Sequence, residues 1–169
     1  MNKNTELNKK KNAGFTLVEM LASCIVIVLL TAIGARGISV AANAYFNVVD
    51  RANASTLLST SLSELRNELS IATNVSIVDN TIVYRSGRSG NESKIKNGVD
   101  NSGIVVSEYI NSVDSFDRLL VTSKAATEKL HCEYEDVKYE NGTITICNIE
   151  IIKNGTVLIN RPEYVIKIG

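Results

Sequence analysis

The sequence predicts an α+β protein in which a long N-terminal α-helical spine, its first half transmembrane, packs on a small antiparallel β-sheet. Three observations lead there. From Phe15 to Ala35 the only charge is Glu19, and about twenty apolar residues suffice to cross the hydrocarbon core of a bilayer as a helix. No proline falls between Phe15 and Ala72, and the only glycines in that run are Gly34 and Gly37. From Val75 onward the pattern changes to short β-rich runs separated by Asp-Asn and Asn-Gly pairs.

Residues 1–14 read as a disposable basic leader, with Lys3, Lys9, Lys10 and Lys11 against Glu6 alone. The lysines precede the apolar segment and Arg36 follows it, so the positive-inside rule keeps the leader cytoplasmic and exports the rest. A conventional secretory signal is the rival reading, because Ala42-Asn43-Ala44 resembles a small-residue cleavage site. Against it, the apolar run is longer than the usual core of about 7–15 residues, and Glu19 would be out of place there. Without the leader, the 18 basic and 18 acidic residues become 14 and 17. The remaining chain lacks the basic surplus of a non-specific nucleic-acid binder.

Glu19 sets the central problem. An acidic side chain inside a membrane helix costs on the order of 3 kcal/mol on insertion scales and usually has a partner. None stands nearby in the segment. The contiguous run Lys9-Lys10-Lys11-Asn12-Ala13-Gly14-Phe15-Thr16-Leu17-Val18-Glu19 resembles the amino-terminal signature of type IV prepilins and type II secretion pseudopilins. The resemblance extends over residues 9–35. It implies that a prepilin peptidase/methyltransferase cuts between Gly14 and Phe15 and N-methylates the new amino group of Phe15. It implies further that Glu19 meets the amino terminus of a neighbouring pilin or pseudopilin subunit during assembly on a filament platform. A positive amine would then answer the carboxylate in a dry setting, where Coulomb attraction is little screened.

The remaining elements follow in order. Residues 15–35 form the transmembrane and polymerisation half of the helix, and residues 36–73 its extracytoplasmic amphipathic half. Val48, Ala52, Ser55, Ser59, Leu62, Leu65, Leu69 and Ala72 recur at alternating fours and threes, which predicts the face that packs on the sheet. Asp50, Arg51, Glu64, Arg66 and Glu68 lie mostly off that stripe. A single helix of this extent would be about 87 Å long. Gly34 and Gly37 weaken it near the membrane exit, either to let it unwind during assembly or to allow close packing.

Residues 74–169 form a β-rich globular head. Val75–Val78 and Thr81–Tyr84 flank Asp79-Asn80 as a hairpin. Arg85 to Gly103 reads as a long irregular connection, the variable loop. Ile104–Val106 and Leu119–Val121 are strands, and Ser123–Leu130 is a short helical turn. Val137–Tyr139 meets Thr143–Ile152 across Glu140-Asn141-Gly142, and Glu150–Ile152 meets Thr156–Ile159 across Asn154-Gly155. Pro162 ends that strand, and Tyr164–Ile168 adds the last one. With the resemblance, the whole is a pilin-like lollipop.

The chemistry-bearing side chains are sparse. Cys24 reads as a small hydrophobe in the membrane. The resemblance suggests a disulfide between Cys132 and Cys147 in the exported head. Hairpin register instead sets Cys147 opposite Asp136, about 13 Å along the strand from Cys132. The alternation slips near Glu135–Asp136 and Asn148, which leaves the register open. His131 beside Cys132 falls short of a four-ligand zinc set, so no metal and no cofactor are expected. With one histidine and no supporting motif, neither is an enzyme. Arg85, Arg88, Lys94 and Lys96 form the only basic cluster of the exported part, a weak binding site for DNA, a surface or a partner. The expected function is therefore that of a structural subunit. It would be a single-pass cytoplasmic-membrane protein before assembly, and part of a type IV filament of a pilus, competence or secretion machine afterwards.

Overall fold

The computed structural model describes residues 15–99, 102–110, 114–121 and 130–169. Helix α1 spans Leu17–Leu69. Eight strands follow: β1 Thr73–Val78, β2 Thr81–Arg85, β3 Glu92–Asn97, β4 Ile104–Ile110, β5 Asp114–Leu119, β6 Leu130–Glu140, β7 Thr143–Lys153 and β8 Thr156–Lys167. The α+β class holds, but the strands form two antiparallel sheets, β1-β2-β3-β4-β5 and β6-β7-β8. The chain divides into two compact units, Met1–Phe46 and Asn47–Gly169. The expected helical turn at Ser123–Leu130 lies outside the described residues, apart from Leu130, which opens β6.

Within the second unit the helix buries Ala54, Leu57, Ser61, Leu65, Glu68 and Leu69. The expected stripe is right at Leu65, Leu69 and Ala72, but Val48, Ala52, Ser55 and Ser59 are exposed. Stepping back from Leu65 by fours and threes reaches Ser61, Leu57 and Ala54, and the bulky Leu57 decides which face turns inward. A fully buried leucine or isoleucine is worth about 2 kcal/mol, and these helix residues meet Ile82, Tyr84, Ile95 and Val106 of the first sheet and Ile144, Ile146, Ile149, Ile151 and Ile166 of the second.

Two-residue turns close three of the hairpins, β1–β2, β6–β7 and β7–β8. Asp79-Asn80, Asn141-Gly142 and Asn154-Gly155 all have positive φ at both positions, the conformation whose twist matches the flanking strands. A tighter constraint sits at Gly87, where an added Cβ would come within 2.3 Å of the Ile71 carbonyl oxygen. No side chain fits there without moving backbone.

Strand β3 corrects the expectation of irregular structure over 85–103. Ser93 and Ile95 face the core while Glu92 and Lys96 face solvent. Only one of the two inward residues is apolar, so the alternation was hidden. β8 also runs unbroken through Pro162. It is an edge strand, where a residue without N–H is tolerated. Asn148 has φ 47°, and the pairs it would make with Glu135 and Pro162 are missing from both ladders. At that point the buried positions shift phase on both strands, from Tyr134 to Val137 and from Ile146 to Ile149. The register itself is unchanged.

Tyr134, next to this slip, ties the two sheets together. Its backbone N–H donates to Asn97 Oδ1 and its carbonyl accepts from Asn97 Nδ2. Its hydroxyl donates to the carbonyls of Asn80 and Ile95.

Candidate functional site

The apolar helix begins with a reciprocal cap. Thr16 precedes the first helical residue, Leu17. Its backbone N–H and its hydroxyl both donate to Glu19 Oε2, each at 2.9 Å. The Glu19 N–H donates in turn to Thr16 Oγ1 at 3.3 Å. This is a capping box, in which two otherwise orphaned donors at a helix start are satisfied by side chains three residues apart. Sequence reasoning singled out Glu19 but passed over Thr16. The signal was present: a threonine followed three residues later by glutamate, immediately before an apolar run.

Downstream of the cap the helix satisfies its own polar groups. The Ser23 hydroxyl donates to the Glu19 carbonyl at 2.8 Å, and the Thr31 hydroxyl donates to the Val28 carbonyl at 2.9 Å. Such back-bonding lets hydroxyls sit in hydrocarbon without a partner. The helix continues through Gly34 and Gly37 without a break. It is long and apolar enough to cross a membrane, and every side chain from Phe15 to Phe46 is exposed. Contiguous apolar surface on this scale marks contact with lipid or protein. Gly14, Lys9, Lys10 and Lys11 lie outside the described residues.

The fold separates Arg88 from the other three cations of the basic cluster. Arg88, in the turn after β2, has Nη1 3.9 Å from Glu68 Oε1, and Arg118 on β5 donates to the same oxygen. Glu68 was expected off the packing face, yet it is 4% exposed; two guanidiniums compensate its burial. Arg85, Lys94 and Lys96 point to the other face of the sheet, opposite Tyr84 and Ile95, and Lys94 lies 4.6 Å over the ring of Tyr109. The turn itself is held by several bonds. Ser86 N–H donates to the Asn91 carbonyl, Gly90 N–H to the Ser86 carbonyl, and Asn91 Nδ2 to Glu108. The Ser89 hydroxyl and the Asn91 amide hold the Glu108 carboxyl below the usual range. The four cations therefore do not share one loop.

The cysteine pair is a further correction. Cys132 and Cys147 are both free thiols, and Cys147 pairs with Asp136 while Cys132 pairs with Ile151. Four residues of strand separate the two positions, beyond the reach of a disulfide. Burial pushes the Cys132 thiol up to about 11, against a smaller lowering by the Ser61 hydroxyl. Cys147 is half-buried. Iodoacetamide at pH 8 should therefore alkylate Cys147 in the folded chain and reach Cys132 at least roughly a hundredfold more slowly, since the thiolate is the nucleophile. Peptide-resolved mass spectrometry reads this directly; a linked 132–147 peptide or equal native rates would contradict the fold. His131 Nε2 lies 3.4 Å from Glu133 Oε1. Among the described residues no group of three or more potential metal ligands converges.

Comparison with known proteins bears only on the basic run and the apolar segment that follows it. Residues 9–35 match the family model described as the prokaryotic N-terminal methylation motif, the signature of type IV prepilins. No curated protein and no solved structure matches the chain. The motif supports a type IV pilin or pseudopilin, a family whose members are structural rather than catalytic. It implies processing by prepilin peptidase and assembly with other pilins. Motif and apolar helix together fit a membrane-anchored protein.

Proposed function

We propose that this chain is a structural subunit of a type IV filament, serving a pilus, a competence (DNA-uptake) or a type II secretion-like machine. The observation that carries this reading is the methylation motif at the head of an apolar helix whose side chains are exposed through Phe46. Before assembly, Lys9, Lys10 and Lys11 keep the leader cytoplasmic and the head stands outside. Lipid then covers the first half of the helix. Removal of the leader between Gly14 and Phe15 frees an amine one residue ahead of the cap, and neighbouring subunits replace lipid around the same apolar surface. Glu19 sets subunit register by meeting a neighbour's amine.

The mature amino terminus tests the first step. Mass spectrometry of the membrane-extracted protein is expected to find N-methyl-Phe15 as the first residue. A start after Ala44, or an intact Met1 in cells that contain the peptidase, would overturn the assignment.

A further inference from the structure

We propose that two sheet faces of the head dock on each other between copies: the basic outer face of β2–β3 on one subunit meets the acidic outer face of β6–β7–β8 on the next. The contact rests on the filament reading for its setting and names the surfaces it would use. Arg85 on β2 and Lys94 and Lys96 on β3 share the side of the first sheet turned away from the buried Tyr84 and Ile95. The acids on that side are Glu92, opposite Arg85, and Asp117, two strands beyond Lys94. Among the described residues no carboxylate lies within 4.0 Å of any of the three cations. The second sheet has the opposite character. Its side turned away from the buried isoleucines of β7 carries Glu133, Glu135, Asp136, Glu140, Glu150 and Glu163. Only Lys138 and Lys167 oppose them there, and Lys138 is 3.9 Å from Asp136.

The acidic face carries a repulsion that a partner's cations remove. Glu133 and Glu150 stand directly opposite each other on β6 and β7, and like charges in that relation are destabilising. They line a surface hollow of about 400 Å³ together with Glu135, Tyr134 and Asn148. Relief within the chain is partial: Asn160 Nδ2 donates to Glu150 at 2.9 Å, and His131 Nε2 lies 3.4 Å from Glu133. Lys94 and Lys96, two residues apart on one side of β3, stand about 7 Å apart, close to the span of about 5 Å between the opposed glutamates. A polyanion would meet the same cations, but the processed chain has 14 basic and 17 acidic residues and repels it. A second copy instead brings the carboxylates those cations lack. Because the two faces are different patches of one chain, the contact is head-to-tail. Such a contact joins copy after copy instead of closing a two-fold dimer.

The test uses the full-length chain expressed with its peptidase and assembly machinery. Sheared filaments are quantified, and copies in the cell envelope are coupled lysine-to-carboxylate with a zero-length carbodiimide. In the covalent dimer, linked peptides are expected to join Lys94 or Lys96 to Glu133, Glu135, Glu150 or Glu163. They should be lost at about 1 M salt, where the Debye length is about 3 Å. Lys94→Glu with Lys96→Glu, or Glu150→Lys with Glu163→Lys, is expected to lower both readouts about tenfold, since like charges then face each other. The chain with all four substitutions should recover to within about threefold of wild type, because both faces have changed sign and attract again. That recovery also excludes misfolding, since the chain contains every substitution of the other two. Wild-type readouts for both two-residue variants would overturn the proposal, and so would a four-substituted chain as poor as they are. A defect confined to one variant overturns it as well, giving the acidic face to another basic partner or the basic face to a polyanion. The filament reading fails separately. Cross-links that follow the charge swap while wild type makes no filaments would sink that reading alone; filaments indifferent to every reversal would sink the head-to-head contact alone.

Discussion

Replacing Glu19 by alanine is expected to leave a chain that is cleaved, methylated and held in the membrane but enters filaments roughly a hundredfold less well, an effect of about 3 kcal/mol. Retention in the membrane should if anything improve, because a carboxylate in the segment opposes insertion by about the same amount. The helix loses one arm of its capping box, worth about 1 kcal/mol and confined to the first turn. The large effect arises at assembly. A neighbour's amine brought into a water-poor contact without a counterion keeps its desolvation cost and loses the attraction that offset it. Glu19→Gln distinguishes the cap from the ion pair, since glutamine can still accept from Thr16 but carries no charge. It should assemble almost as poorly as alanine. Comparing the membrane pool with sheared filaments by quantitative blotting gives the result, and normal filament yield for Glu19→Ala would refute the role assigned to it.

What could be read from the sequence depended on how local the determining physics is. The Lys9–Glu19 run and the apolar segment behind it are contiguous, so the motif was visible without any tertiary information. The Asn141-Gly142 and Asn154-Gly155 turns were equally plain, because their positive φ is set by the residues themselves. Even the pairing of Cys147 with Asp136 followed from counting outward from the first of these turns. Features whose cause lies elsewhere in the chain were hidden. β3 buries Ser93 as well as Ile95, so its alternation shows only once β2 and β4 flank it. Pro162 reads as a strand end until β8 is seen at the sheet edge, opposite a left-handed Asn148. Thr16 was a different kind of omission. Its partner is three residues away, but attention to the unpaired charge of Glu19 obscured the ordinary bonds that the same carboxylate makes to its own helix.

Glu68 is the clearest case of a hidden cause, and its replacement should have the largest effect on the head. By sequence it belongs to the solvated side of a helix; in the fold it is buried under the first sheet, with Arg118 and Arg88 at one of its oxygens. Those two guanidiniums come from β5 and from the turn after β2, more than fifteen residues away along the chain. Beside them lies the buried side chain of Tyr84, whose hydroxyl has no hydrogen-bond partner at close range among the described residues. Burial, reinforced by the negative charge of Glu68, drives that phenol well above its ordinary range and keeps it neutral. Glu68→Ala would leave Arg118 and Arg88 without their carboxylate, beside the buried Tyr84 side chain. Both arginines retain access to water, so the loss falls below that of a fully buried pair, at about 2 kcal/mol. For a domain near 120 residues this lowers the melting temperature by several degrees. Glu68→Gln keeps the shape and one neutral acceptor, and should recover part of the loss. The measurement is thermal unfolding of the detergent-solubilised chain. Because Glu68 lies far along the helix from Phe15 and Glu19, cleavage and methylation should be untouched. A Glu68→Ala chain as stable as wild type would mean that the ion cluster does not hold β5 and the β2–β3 turn to the helix.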